Sequence, residues 1–373
     1  MQDTVQLWLL IGPKAGDNAQ LRALGAALAA RFGWTVTEQP VAFHGGELLV
    51  TLLLRVSLLG LTSATRRALR GPWPELVLTA GRRNEPVARW IRRASGDRTR
   101  LVHVGRPWSH PRHFDLLIST PQYFLPEDRF PNVLTNPLPL VPQRQPPADL
   151  RAGPDDDPDE PLIACFIGGD SGAQVLTAEG ATRIADAALA LARAQGARLG
   201  LSTSARTPEV AEAAIADRLK DAPDVRLHLW HRAPLASNPY RAWLAVARGF
   251  VVTTDSMSMI AEAEATGRQL WLTPIPVPDR PWWLTIRGWR WKPLTHRLAQ
   301  AFAPRRLRRD TQRIIDALLR SGRARPLAEG PQTPAATVVR APVDGTARAV
   351  EAIAALFEVP SITEDTGEAD SRG

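Results

Sequence analysis

The chain has a single cysteine, Cys165, inside the apolar run LIACFIGG. One thiol forms no internal disulfide, and such cysteine usage points to the cytoplasm. Cys and His never recur at zinc-ligand spacing, so a zinc centre is not expected. The N-terminus carries neither a basic n-region nor a small-x-small cleavage site, and does not read as a signal peptide. The longest apolar stretch, residues 48–61, is broken by Arg55 and is too short to cross a bilayer. No Asp-x-Asp pair stands at the end of an expected strand, so phosphate charge is expected to meet helix N-termini and cations rather than a metal. No DNA- or RNA-binding motif is present, and nucleic acid is not an expected partner.

What the sequence has in excess is positive charge and apolar residues. The net charge is +8, with 46 Lys and Arg against 38 Asp and Glu. That balance favours an anionic partner: a nucleotide, phospholipid headgroups or, were a binding motif present, nucleic acid. At 373 residues and 44% hydrophobic the chain is long enough for two cores.

Apolar runs alternate with helical patterns throughout. The first half reads as strands at 5–12, 34–43, 75–81, 100–105 and 114–120, and the second as strands at 162–169, 198–205, 225–231, 249–255 and 269–276. Most runs are continuously apolar, the signature of parallel strands buried on both faces. Helices are expected near 18–33, 84–96, 176–195, 208–220, 239–248 and 256–266. The Pro- and Asp-dense stretch 137–161 cannot form a regular core element and reads as a linker. The fold class is therefore α/β: two doubly wound, Rossmann-like domains facing each other across a cleft. The expected boundaries are a first domain over 1–140, a linker over 141–161, a second domain over 162–330, a C-terminal segment with a returning helix over 331–358, and an unfolded acidic tail over 359–373.

Three strand-end loops should meet at the cleft. In IGPKAGDNAQ, Lys14 is a candidate for a phosphate, while Gly12, Gly16, Asp17 and Asn18 suit a tight turn with an N-cap. In IGGDSGAQ, Gly168 and Gly169 let the backbone approach a ligand, with Ser171 beside them. In TTDSMSMIAEAEATG, Asp255 precedes a hydroxyl-rich helix start, Ser256 and Ser258, and Glu262 follows Ser258 at i+4 on one face. Hydroxyls suit a phosphate, and a carboxylate one turn on suits a ribose. The plainer reading remains open: Gly-rich turns follow strands in most α/β proteins, Ser256 is then an ordinary N-cap, Asp17 another, and Glu262 a solvated helix residue.

Longer motifs carry a resemblance. AGRRNEPVARW, FDLLISTPQYFLP, NVLTNPLPL and NPYRAWLAVARGFVVTTDSMSMIAEAEATG resemble bacterial relatives of the plant elongated mitochondria (ELM) fission proteins over most of residues 5–330. The plant members are implicated in recruiting a dynamin-related protein, so the resemblance implies an adaptor role as an alternative to catalysis. IGGDSGAQ and VVTTDSMSMIAEAEATG also resemble, more distantly, the donor-side loops of the GT-B N-acetylglucosaminyltransferase that makes the lipid-linked peptidoglycan precursor. That likeness implies a GT-B architecture and a nucleotide-diphosphate-sugar as substrate, with no cofactor. By position it implies Glu262 on the donor ribose, Gly168, Gly169 and Ser171 on the diphosphate, and Ser202, Ser204 and Arg206 lining the same pocket. It leaves Glu264 solvated. Lys14, Gly16, Asn18 and Gln20 fall on the acceptor loop. Relatives read DGKxGHxxQ there; this chain reads GPKAGDNAQ. Asp17 thus stands where a His is usual and becomes the candidate general base.

A lipid acceptor would place the protein peripherally on the inner face of the cytoplasmic membrane. Arg66, Arg67 and Arg70 follow the apolar run, and Trp282, Trp283, Trp289 and Trp291 lie among arginines, a composition suited to a lipid interface. The same segments also fit a core helix and a cover over the cleft.

Overall fold

The computed structural model describes residues 4–44, 56, 58, 60–141, 160–171, 174–275, 302, 305–327, 340–341 and 343–357. The four tryptophans at 282–291, most of the apolar run 48–61, the body of the 141–161 linker and the 359–373 tail lie outside them.

Two six-stranded sheets organise the chain. The first contains β1 (Gln6–Ile11), β2 (Thr35–Pro40), β3 (Leu76–Ala80), β4 (Arg100–Val104), β5 (Leu116–Ser119) and β6 (Val133–Thr135), ordered β2-β1-β3-β4-β5-β6. The second contains β7 (Leu162–Phe166), β8 (Arg198–Ser202), β9 (Val225–His228), β10 (Gly249–Thr253), β11 (Gln269–Thr273) and β12 (Arg325–Pro326), ordered β12-β11-β10-β7-β8-β9. Every strand pair within the two sheets is parallel. Parallel strands need crossovers, supplied by α1 (Ala15–Phe32), α2 (Ser63–Ala68), α3 (Glu85–Ala94), α4 (Ala178–Ala194), α5 (Glu209–Leu219), α6 (Tyr240–Val246), α7 (Met257–Glu264) and α8 (Gln312–Arg320). A further helix, α9 (Gly345–Ala354), follows the last strand.

Side-chain alternation explains why both faces are covered. In β1, Leu7 and Leu9 pack with Leu21, Leu24 and Leu28 of α1, while Trp8 and Leu10 pack with Val87, Ala88 and Ile91 of α3. In β7, Ile163 and Cys165 meet Ile184 and Ile215 of α4 and α5, while Ala164 and Phe166 meet Trp243, Ile260 and Ile314 of α6, α7 and α8. Strands buried on both sides must be apolar at every position, which is why they are legible as continuous runs. The edge strands break that pattern: β2 exposes most of its residues.

The last helix ties the two halves together. Ala349, Val350 and Ile353 of α9 join the core built on β1 and α1, although the preceding strand belongs to the second sheet. Two doubly wound sheets with a C-terminal helix returned to the first make a GT-B-like architecture.

Candidate functional site

In a doubly wound sheet the crevice forms where the chain reverses its direction of strand addition, at the carboxyl ends of the strands. The strand order puts that point between β7 and β10 in the second sheet and between β1 and β3 in the first.

At the second point the β7 loop is held by the loops around it. The Gly168 N–H donates to Thr253 Oγ1 at 2.8 Å, and the Gly169 N–H donates to Asp255 Oδ2 at 3.1 Å. The Gly168 carbonyl accepts from Ser204 Oγ and Thr207 Oγ1, both at 2.5 Å. A side chain at Gly168 would collide with the Asp255 carboxylate, and one at Gly169, at φ +143°, with the main chain of Arg206. Both glycines are therefore required by close approach. Ser171 pairs with Gln174 through reciprocal main-chain bonds of 3.1 and 2.9 Å.

Asp255 is the hub. Its side chain is 0% exposed, and its Oδ2 pairs with Arg206 Nη2 at 2.8 Å, while the Arg206 side chain is 39% exposed. Burial pushes the Asp255 carboxyl above its ordinary range, with the Arg206 charge opposing. Asp255 thus aims Arg206 and the Gly169 N–H from beneath the surface instead of lining the crevice itself. Ser202 is equally buried. Next to this hub Ser256 is the N-cap of α7, and its side chain makes no capping bond, so the first-turn N–H groups are not closed by it. Ser258 is exposed and Glu262 half-buried, as expected for i and i+4 on one outer face.

Glu264 corrects the expectation of a solvated acid. It is buried, its carboxylate paired with the Arg323 guanidinium and accepting the Val343 N–H at 3.3 Å. Beside it, the Gly267 carbonyl accepts the Arg340 N–H at 2.7 Å. The two acids on α7 divide the work: Glu262 faces out, and Glu264 anchors the segment that leads to α9.

At the first point Asn18 closes the β1 loop. Its amide accepts from the Gly12 N–H at 3.0 Å and donates to the Gly12 carbonyl at 2.8 Å. Lys14, not Asp17 or Asn18, occupies the N-cap position of α1, without a side-chain cap. Asp17 lies in the first turn, 3.9 Å from Lys14 Nζ, and burial raises its pKa against the charges of Lys14 and Arg309. Its Oδ2 sits against Gly81, where a Cβ would stand 2.8 Å away. Gly16 has open space around it, and Gln20 turns inward to accept the Leu140 N–H at 3.2 Å.

Several supports escape sequence reasoning. Asn84 donates to the Leu10 carbonyl at 2.8 Å, tying the β3 loop to the end of β1. Glu85, buried, accepts from the N–H groups of Trp108 and Ser109 at 2.6 and 3.0 Å and from Ser109 Oγ at 2.8 Å; burial raises its pKa. Both belong to the NEPVARW motif, where Asx and acid before a helix give a capping signal but not their distant partners. Gln122 is the third. Its carbonyl accepts the Asp310 N–H at 2.9 Å, and its Oε1 accepts from Arg309 Nε at 2.8 Å. Arg313 reaches the Pro121 carbonyl at 2.7 Å. The segment entering α8 of the second half thus lies on the carboxyl-edge loops of the first sheet.

Among the described residues no helix is long and apolar enough to cross a membrane, and no cluster of His, Cys, Asp and Glu is arranged to hold a metal ion.

Solved structures similar to this chain include the UDP-GlcNAc 2-epimerase from Neisseria meningitidis bound to UDP-GlcNAc, at 14% identity and a TM-score of 0.45, covering 94% of this chain and 100% of that one. Another is the glycosyltransferase SnogD from Streptomyces nogalater, at 16% identity and a TM-score of 0.43, covering 96% of each. Among curated proteins, the mitochondrial fission protein ELM1 of Arabidopsis thaliana is 26% identical over 257 residues, 61% of this chain and 58% of that protein's length. This chain therefore spans little more than half of that relative. The model of the mitochondrial fission ELM1 family matches residues 15–357, nearly the whole length, and the chain belongs to that family.

Proposed function

We propose that the protein binds a nucleotide-diphosphate-sugar at the β7/β10 crevice, as a metal-independent glycosyltransferase or a relative of one. The observation that carries this reading is the Gly168–Gly169 turn, stripped of side chains by the fit of Asp255 and Arg206 and set beside the uncapped start of α7. Arg206 and the α7 N–H groups supply positive potential for a diphosphate, as helix N-termini do for anions generally. Ser171 and Ser258 add hydroxyls, Glu262 takes the ribose, and Ser204 acts through the turn, its hydroxyl donating to the Gly168 carbonyl. Ser202 and Asp255 act from beneath, by position. On the facing side Lys14, Gly16, Asn18 and Gln20 shape the acceptor loop, and Asp17, with its raised pKa, is the general base.

Thermal-shift screening with UDP, GDP, CMP and their sugars tests the reading, because a ligand that binds the folded state raises Tm. Glu262→Ala should weaken the stabilising nucleotide by about tenfold, the loss of one charge-assisted hydrogen bond. If no nucleotide shifts Tm, the adaptor role takes its place.

The acceptor side is proposed to work on the inner face of the cytoplasmic membrane, supported by Arg66, Arg67 and Arg70 on and after α2 and by the Trp- and Arg-rich sequence at 280–313. The expected result is sedimentation with anionic but not neutral vesicles, fading as salt rises. Indifference to anionic vesicles at low salt counts against it.

A further inference from the structure

The carboxyl edge of the first sheet concentrates cations that the reading above does not use. Register places them side by side. Ala80 of β3 pairs with Val104 of β4, so Arg82 and Arg106 each stand two residues beyond the paired ends of neighbouring strands. Gln122, just beyond β5, holds Arg309 from the other half of the molecule at 2.8 Å. Arg106 itself donates to the Leu307 carbonyl.

Arg82 and Arg106 make contact with two rings and one carbonyl. The Arg82 guanidinium lies 4.7 Å from the centre of the Trp108 ring, and that of Arg106 lies 5.3 Å from the centre of Tyr123. Among the described residues neither forms an ion pair with a carboxylate. The buried carboxylate nearby, Glu85, is already engaged by three donors from Trp108 and Ser109. Burial lowers the pKa of Arg82, with Arg83 adding repulsion; burial likewise lowers that of Arg106, opposed by Tyr123 and more weakly by Glu85, with Arg309 and Arg82 adding repulsion. Holding half-buried like charges together costs stability unless something compensates. An anion bound among them would do so, and planar guanidiniums match a phosphoryl group in two-point contact. Their aromatic backing fixes the guanidinium planes in advance.

We infer that Arg82 and Arg106, with Arg309 beside them, form a second anion site that takes the phosphoryl group of a phosphorylated acceptor. This rests on the proposed function for the word acceptor, but the site stands on its own residues. Asp17 borders it across Gly81, so its carboxylate, when ionised, opposes the bound anion.

Calorimetry with inorganic pyrophosphate at low salt tests the two sites together. Wild type should bind at two sites, one lost in Arg206→Gln and the other in Arg82→Gln, with affinity at the affected site falling about tenfold or more. Arg82→Lys should recover part of the loss, and Asp17→Asn should tighten the Arg82-dependent step severalfold. If Arg206→Gln removes all binding, or Arg82→Gln removes none, the second site does not exist and the nucleotide reading is untouched. If only Arg82→Gln matters, the second site stands and the nucleotide reading falls. A further pair of arms, glycerol 3-phosphate against vesicles containing phosphatidic acid, identifies the source: Arg82-dependent binding to the soluble ester marks a soluble acceptor, and to vesicles alone a lipid one.

Discussion

The two carboxyl edges arise from the same βα pattern, yet their first loops are built differently. After β7 the glycines are packed against Asp255 and Arg206 with no spare volume. After β1 the loop is closed by a side chain, Asn18, and Gly16 faces open space. The charge differs as well. The second edge pairs its exposed arginine with a buried acid, whereas the first sets Arg82 and Arg106 against aromatic rings. One crevice has its shape fixed by internal bonds; the other keeps its charge for something external. A loop that must bind main-chain-first is expected to be rigid, and a loop that attracts by charge can stay open.

The largest expected effect comes from the packed loop. Gly169→Ala forces a Cβ into the Arg206 main chain at a φ of +143°, and should cost about 3 kcal/mol or more by denaturant unfolding. A cost below about 1 kcal/mol would mean the loop yields, and the contrast between the edges would shrink.

Acid should act next, through His103 in the first sheet and, in the same sense, through His228 in the second. His103, on β4, is fully buried with neither ring nitrogen hydrogen-bonded, and burial pushes its pKa down to about 3. Its unfolded form takes up a proton near pH 6.5 while the folded form does not. Stability is thus fully present above that pH and is lost as pH falls toward 3, by up to about 1.4 kcal/mol per pH unit. Asp17 and Glu85, with raised pKa values, act in the opposite sense once pH enters the carboxylate range. Hydrogen exchange at about pH 7 and about pH 5.5, on either side of the ordinary His range, should show protection falling in the first sheet, and His103→Gln should flatten that dependence. An equal slope in the variant would assign the loss to another group.

The smallest effect has the opposite sign. Gly16 lies in the first turn of α1, and a Cβ there would meet nothing within 4 Å. Gly16→Ala should therefore raise stability by about 0.5–1 kcal/mol through helix propensity, read by denaturant unfolding. Destabilisation would show that the first loop is as constrained as the second.

Much of this is legible from sequence for a simple reason. Parallel strands covered on both faces are apolar at each position, so most of the strands stand out as runs, and strand ends locate the crevices. The short strands β6 and β12 do not stand out: three and two residues leave no pattern to detect. Side-chain partners are less legible still. Glu262 and Glu264 look alike in EAEA, yet the angle of about 100° per residue turns one outward and the other under Arg323.

The sequence by itself determined the two βα halves, the glycine turns and the excess of basic charge, because periodicity and composition are local properties of the chain. Only the tertiary structure decided that Asp255 supports the Gly168–Gly169 turn instead of facing the crevice, that Glu264 anchors the return of α9, and that Arg309 comes to the edge bearing Arg82 and Arg106. Each of those outcomes joins residues tens to hundreds of positions apart, and a contact at that separation is fixed by how sheets and crossovers pack, not by any neighbour in the chain.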